Sequence, residues 1–402
     1  MSKILIITVG GSIQPIVSFI KTHGEDTDYI YFICSTGTPK KSSSPLVDTC
    51  NESIIKQSSY KGLYEKVEIA DPDSFEEVYQ KTKDTIDKAK SKGKDIIADF
   101  TGGTKTMSSV LCMLATLDFY VTPSLTTGPR EDLEKVKGIS HPSLIPVDLP
   151  RAEHISKMAD LFIKRYFYYS ASLLLREFLS NIAVNSEIHR KIDAKCYLCE
   201  AFNYWDRFEY EKAYDVFKNY CMKFPEHWEI LLKLTEKDKN TGYEKVFDLY
   251  CNAERQAYNG YYDNAVARIY RAIEMFVQIR LKRQYDIDTS HLEKSVEKLK
   301  NKERWEQKRK ENGEIPIGLT DAYELLMELQ DPIGEVYKNF KNELLNVLSV
   351  RNKSKLAHGD EPVSEKDWIE IENFFKKFIM DECCKSIKIQ PIFIQLPQLI
   401  EV

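Results

Sequence analysis

Of the seven histidines in the 402-residue chain, His358 alone sits in a string suited to chemistry, Val350-Arg-Asn-Lys-Ser-Lys-Leu-Ala-His-Gly359. Arg351 and His358 are seven positions apart, about two helical turns; at roughly 100° per residue they return to within about 20° of one face, with Lys355 between them at i+4. The apolar run Val336–Leu348 predicts a helix, and if that helix continues all three side chains project along one stripe, with Gly359 as its natural stop. An imidazole that exchanges a proton near neutral pH, beside a guanidinium that holds a phosphate, can cleave RNA through its own 2′-hydroxyl without a metal. Asn352 is placed to orient the imidazole or bind a phosphate oxygen. By spacing alone, a surface histidine at a helix end explains such a pair more often than catalysis does.

A second group of chemistry-bearing residues follows three short apolar runs. These are Gly10, Gly11, Ser12 and Gln14 after the first; Ser35, Thr36, Gly37 and Thr38 after the second; and Thr101, Gly102, Gly103, Thr104, Lys105, Thr106 and Met107 after a later one. In an open α/β sheet, ligands collect at the carboxyl ends of the strands, where glycines allow close backbone approach and amides at a following helix start receive phosphates. Lys105 is expected to meet a phosphate, Thr101, Thr104 and Thr106 to donate hydroxyls, and Met107 to pack under the loop or against a base. The nucleoside-triphosphate loop G-x-x-x-x-G-K-[ST] fails, because Thr104 precedes Lys105 and Asp99 stands at the earlier glycine position. The dinucleotide pattern G-x-G-x-x-G fails at Gly10-Gly11-Ser12-Ile13.

The elements that must carry these residues change character near residue 150. Lys3–Val9, Tyr29–Cys34, Lys66–Ile69 and Asp95–Phe100 predict strands, and Ile13–Thr22 and Ser74–Ser91 predict helices between them, a βαβ series with a Rossmann-like parallel sheet. Ser140–Pro150, with three prolines, predicts a boundary. Beyond it, Met158–Leu179, Ile192–Phe217, Trp228–Leu234, Tyr243–Tyr285, Leu319–Leu329 and Val336–Leu356 carry apolar residues at helical spacing. Lys294–Lys310 mixes both charge signs, as a solvated helix or arm does, and Ile387–Leu396 alternates with period two, as an edge strand does. The expected fold class is therefore α/β plus all-α, in three parts: 1–147, a helical 148–240, and a helical 241–402 with a C-terminal tail.

A net charge of −5 disfavours a protein that coats nucleic acid, yet Glu335–His358 carries a net +3, which suits a small local cleft. The nine scattered cysteines form no disulfide framework and are expected as reduced thiols; Cys196 and Cys199 lack the further ligands a zinc site needs, so no metal site is expected. No apolar run approaches membrane-spanning length and no secretory signal opens the chain, which leaves the cytoplasm as the expected location.

The strand ending in Thr101-Gly-Gly-Thr-Lys-Thr-Met107, with the Gly-Ser-Ile-Gln-Pro loop after strand one, resembles the CARF sensor domain of CRISPR-associated proteins over about residues 1–145. That resemblance implies a cyclic oligoadenylate, of four or six adenylates with four favoured, enclosed by the three loops from two subunits. Arg351-Asn352 followed by Leu-Ala-His-Gly resembles the R-x4-6-H signature of HEPN ribonucleases, at the long end of its range. Ala265, Arg268, Tyr270, Arg271, Ala272, Ile273 and Glu274 are similar to the first long helix of such domains. The order of the two resembles type III ancillary ribonucleases of the CARF–HEPN kind, with 148–240 as a helical connector. It implies a homodimeric, metal-independent endoribonuclease on single-stranded RNA, leaving 2′,3′-cyclic phosphates. The roles carried over are His358 as general acid or base, Arg351 on the phosphate, Asn352 positioning and Lys355 on the RNA backbone. No cofactor beyond the activating ring, no membrane and no stable complex with the CRISPR effector are implied. Two other readings remain open here: a ring-binding regulatory module with an inactive HEPN domain, and a CARF domain that itself degrades its ring.

Overall fold

The computed structural model of the chain describes residues 3–36, 42–93, 95–128, 130–131, 135–136, 141–181, 187–354 and 360–401. Contacts divide it into two compact units, Met1–Lys157 with Arg176–Ile192, and Met158–Leu175 with Asp193–Val402. Residues 148–240 are thus shared between the units.

The first unit is built on β1 (Lys3–Thr8), β2 (Thr27–Ser35), β3 (Leu63–Ile69), β4 (Asp95–Asp99), β5 (Val121–Thr127), a two-residue pair β6 (Arg130–Glu131) and β7 (Lys135–Val136), and β8 (His141–Leu144). Its main sheet has the order β3-β2-β1-β4-β5-β8, parallel except for β8 against β5. Helices α1 (Gln14–His23), α2 (Ser44–Asp48), α3 (Ile54–Ser58), α4 (Phe75–Lys92) and α5 (Lys105–Leu117) connect the strands. β1 is apolar on both faces because both are covered, the mark of a central parallel strand. Ile4 and Ile6 join Val78 and Ile86 of α4 and Val110 and Leu111 of α5, whereas Leu5 and Ile7 join Ile16, Phe19 and Ile20 of α1.

The proline-rich stretch expected as a boundary lies within this unit. His141–Leu144 pairs with β5, and Pro142 is tolerated there at the sheet edge. The following residues are anchored by Arg151, whose guanidinium donates to the carbonyls of Ala115, Thr116, Asp118 and Val121 at 2.6–2.8 Å.

Helices then follow: α6 (Asp148–Ile163), α7 (Tyr168–Leu179), α8 (Glu187–Asp206), α9 (Tyr210–Phe217), α10 (Pro225–Leu234), α11 (Glu244–Tyr258), α12 (Tyr262–Tyr285), α13 (Lys302–Glu306), α14 (Leu319–Glu328), α15 (Pro332–Lys353) and α16 (Glu365–Phe375). α16 runs through a π-helical stretch, Lys376–Cys383, into α17 (Cys384–Ser386). None of the helices among the described residues is long and apolar enough to cross a membrane. The second unit's main core joins Phe247, Ile269, Phe276, Tyr323, Tyr337 and Phe378 from α11, α12, α14, α15 and the π stretch. Within the charge-rich 294–310 segment, Trp305 is fully buried and donates from Nε1 to Glu328 at 3.0 Å, so that segment is held to α14.

The tail Ile387–Leu396 is not a strand. The second unit offers it no sheet edge among the described residues, and it is bound through side chains instead: Gln395 accepts from the buried Arg255 at 2.6 Å and donates to the Cys251 carbonyl at 3.1 Å. Arg255 also pairs with Asp206 of α8 at 2.6 Å. Asp206 in turn accepts from Asn252, whose side-chain oxygen takes a bond from Arg268 of α12. Cys196 and Cys199 are buried on α8, and burial pushes the Cys199 thiol well up.

Candidate functional site

In the first unit, β1 lies between β2 and β4, so the chain turns to opposite sides of β1, the topology that in open α/β sheets puts the ligand site at the carboxyl ends of those strands. The loops at 10–14 and 101–107 meet there, backbone against backbone. A Cβ on Gly10 would stand 2.5 Å from the Gly103 nitrogen, and one on Gly102 would stand 2.4 Å from the Thr8 carbonyl oxygen. Gly103 has φ +89°, a conformation that favours glycine. The Gly102 carbonyl accepts from Thr8 Oγ1 at 2.7 Å and Ser108 Oγ at 2.6 Å, which fixes the turn.

Thr104 caps α5: its hydroxyl accepts the Met107 N–H at 3.2 Å and donates to the Pro72 carbonyl at 2.8 Å. The amides of Lys105 and Thr106 have no partner within the helix and suit an anion. Lys105 is exposed and, among the described residues, meets no carboxylate; Thr106 is half-buried. Met107 is buried beneath Gly103. Thr101 turns back to the sheet, its hydroxyl accepting the Thr126 N–H at 2.7 Å and its own N–H donating to Asp99 at 3.1 Å. Asp99, noted in the sequence only as a break in a nucleotide motif, is fully buried beneath this loop; it also accepts from the Thr126 hydroxyl at 3.2 Å, and burial raises its pKa to about 6.

Gly11 is open to solvent and Ser12 is half-buried. Gln14 donates to Gln57 of α3 at 2.9 Å. Ser35 is tied into a hydroxyl pair with Ser43 at 3.2 Å, and Thr36 donates from N–H and hydroxyl to the Ile69 carbonyl at 2.9 and 3.3 Å. Gly37 and Thr38 lie outside the described residues.

In the second unit, Arg351 and Asn352 occupy the last turn of α15. α15 stops at Lys353, short of the span through His358 over which one continuous helix would line up the three side chains. Ser354 takes an extended ψ of 154°, and its hydroxyl donates to the Arg351 carbonyl at 2.8 Å, which closes the helix without a glycine. Glu361 N–H donates to the Lys353 carbonyl at 3.4 Å, beside a bridge between Ser354 and Glu361. Lys355, His358 and Gly359 fall between these two points and lie outside the described residues.

Arg351 is half-buried; its guanidinium carbon stands 4.7 Å over the Tyr270 ring of α12, and Nη1 donates to Asn352 Oδ1 at 3.1 Å. Burial, then Glu274, raises the Tyr270 pKa, against the Arg351 charge. Of the residues expected on the long helix, Ala265, Ala272 and Ile273 face the core, Arg268 reaches Asn252, and Arg271 holds Glu274 at 2.6 Å. Nothing local in the sequence marks Tyr270 as the neighbour of Arg351.

Residues 235–381 match the family model described as the Csm6 HEPN domain. Among solved structures, the chain is similar to Enterococcus italicus Csm6 bound to cyclic hexa-2'-fluoro-hexa-dAMP, with 14% identity and a TM-score of 0.64 over 96% of this chain and 95% of that one. At that identity the likeness is one of fold. No curated protein matches the chain.

Proposed function

We propose that this chain, a member of the CARF–HEPN family by its Csm6 HEPN domain and Csm6-like fold, is a metal-independent endoribonuclease that cleaves single-stranded RNA when a cyclic oligoadenylate occupies its first unit. The observation that carries the reading is Arg351, its guanidinium carbon 4.7 Å over the Tyr270 ring, at the helix end that precedes His358 within the stretch matching the Csm6 HEPN model. In the reaction the RNA 2′-oxygen bonds to phosphorus, the bond to the 5′-oxygen breaks, and the proton released at one oxygen is replaced at the other. His358 handles those protons, Arg351 balances charge on the phosphate, Asn352 positions and Lys355 holds the RNA backbone. The products carry a 2′,3′-cyclic phosphate and a 5′-hydroxyl.

The activator is assigned to the carboxyl ends of β1 and β4, where close-packed glycine backbones, the exposed Lys105 and the first α5 amides suit an anion. A ring of six adenylates is the first to test, because the fold neighbour holds a six-membered analogue; the sequence resemblance favoured four. Two copies pair, so that both sets of loops enclose the ring and both copies of Arg351, Asn352 and His358 form the cleft. The setting is type III CRISPR defence in the cytoplasm. The test is cleavage of a fluorescent RNA in EDTA, with and without each cyclic adenylate, by the wild type and by His358→Ala. Cleavage that needs the ring, tolerates EDTA and vanishes in the variant is expected. A requirement for a divalent metal, or activity surviving the substitution, overturns the assignment.

A further inference from the structure

We propose that Tyr270 is a positioning residue for the reaction: its ring is the platform that holds the Arg351 guanidinium in place while leaving its hydrogen-bond donors free for a phosphate. The inference rests on the ribonuclease reading of Arg351. An arginine in the last turn of a helix has more rotamer freedom to lose than almost any other side chain, so something must fix it before the phosphate arrives. The usual anchor, a carboxylate, spends two donors and cancels the charge. Here the anchor is an aromatic face at 4.7 Å. A guanidinium held over a ring is bound through its charge and π surface, a contact that does not require its N–H donors.

The neighbouring charges fit that role. Glu274, one turn along α12 from Tyr270, is the carboxylate whose charge acts on that ring. It is held by Arg271 Nη1 at 2.6 Å, which also donates to Gln278 at 2.8 Å. Among the described residues Arg351 makes no ion pair, and its one side-chain hydrogen bond is Nη1 to Asn352 at 3.1 Å. Nε and Nη2 have no hydrogen-bond partner among the described residues, which leaves them for a ligand. Among the described residues the Tyr270 hydroxyl makes no hydrogen bond to Arg351, so the platform calls for a ring and not a phenol.

The experiment compares Tyr270→Phe, Tyr270→Leu and Arg351→Ala in the full chain, with ring-activated RNA cleavage followed under single turnover. Phe should stay within about twofold of wild type, because the face is kept. Leu keeps apolar bulk but loses the face, and should lower the cleavage rate about tenfold, a 1.4 kcal/mol effect. Affinity for an RNA with a 2′-deoxy nucleotide at the cleaved position, ring affinity and melting temperature should hold, since the contact acts on the transition state. Combined with Arg351→Ala, Leu should cost nothing further. The proposal is overturned if Leu cleaves at the wild-type rate, if Phe falls as far as Leu, or if Leu lowers the rate equally without Arg351. Full activity of Arg351→Ala alone would instead remove the role given to Arg351 itself.

Discussion

Gly102→Ala tests the β1–β4 strand ends at their tightest point. The new methyl would lie 2.4 Å from the Thr8 carbonyl oxygen and 3.0 Å from the Gly10 nitrogen, both backbone atoms of the neighbouring strand and loop. To reach ordinary contact it must withdraw by roughly an ångström. Such a move carries the Gly102 carbonyl away from Thr8 Oγ1 and Ser108 Oγ, which now donate to it at 2.7 and 2.6 Å. Two lost hydrogen bonds at about 1 kcal/mol each, with about 1–3 kcal/mol of overpacking, give about 3–5 kcal/mol. For a unit of this size the corresponding fall in melting temperature is on the order of 10 °C. Calorimetry of the full chain, with titration of cyclic hexa-adenylate, measures both consequences: an earlier transition and a weakened ring. Gly11→Ala is the control for stability, because a Cβ there meets nothing within 4 Å; it should leave melting within about 0.5 kcal/mol of wild type. A Gly102→Ala protein that melts with Gly11→Ala and binds the ring like wild type would refute the close-approach argument.

Two further outcomes follow from buried charge. Asp99 holds its proton more tightly folded than unfolded, with a pKa raised to about 6 by burial. Its contribution to stability is therefore present below the ordinary carboxylate range near 4 and is lost as pH rises through about 6, a decline on the order of 3 kcal/mol. Urea unfolding of wild type and Asp99→Asn from pH 4 to 7 isolates it; parallel curves would show that Asp99 does not titrate in that window. Arg255→Met removes the ion-pair partner of Asp206 and the positive charge acting on the buried Asp248, to which Trp205 and Tyr210 donate, and should destabilise the second unit by about 3–5 kcal/mol. A melting temperature unchanged in that variant would show that the network contributes no stability.

The sheet was legible in β1, β2 and β4, and in the last four residues of the edge strand β3, but not in the internal β5. β1, β2 and β4 are apolar on both faces because helices cover both, and such runs stand out in one dimension. β5, with the sequence Val-Thr-Pro-Ser-Leu-Thr-Thr, and the four-residue β8 carry no such run; their places come from pairing with β4 and with each other. Helical spacing found the second unit's helices but not their ends. The breaks after α6 and α8 turn on Tyr166 and Phe208 at φ +61° and +63°, positions that carry no glycine to announce them. The period-two tail had the pattern of a strand but no sheet edge to join.

The same division between local and distant information explains the candidate sites. A ligand site calls for glycines, hydroxyls and charges in short strings, so Gly10–Gln14, Thr101–Met107 and Arg351–Asn352 stood out as candidates. Their supports act across the chain and need no particular string. Asp99 fixes Thr101 only because Thr126 of the next strand closes the triangle, and Tyr270 meets Arg351 only because α12 and α15 share a core. In the proposed sites, side chains of ordinary type take their roles from what faces them. That makes exchanges which keep the string but change the facing group, Tyr270→Leu foremost, the sharpest separation of chemistry from scaffold. A site held only by its own local string would lose nothing to that substitution, whereas one held across the core should lose transition-state stabilisation while its fold and ring affinity stay intact.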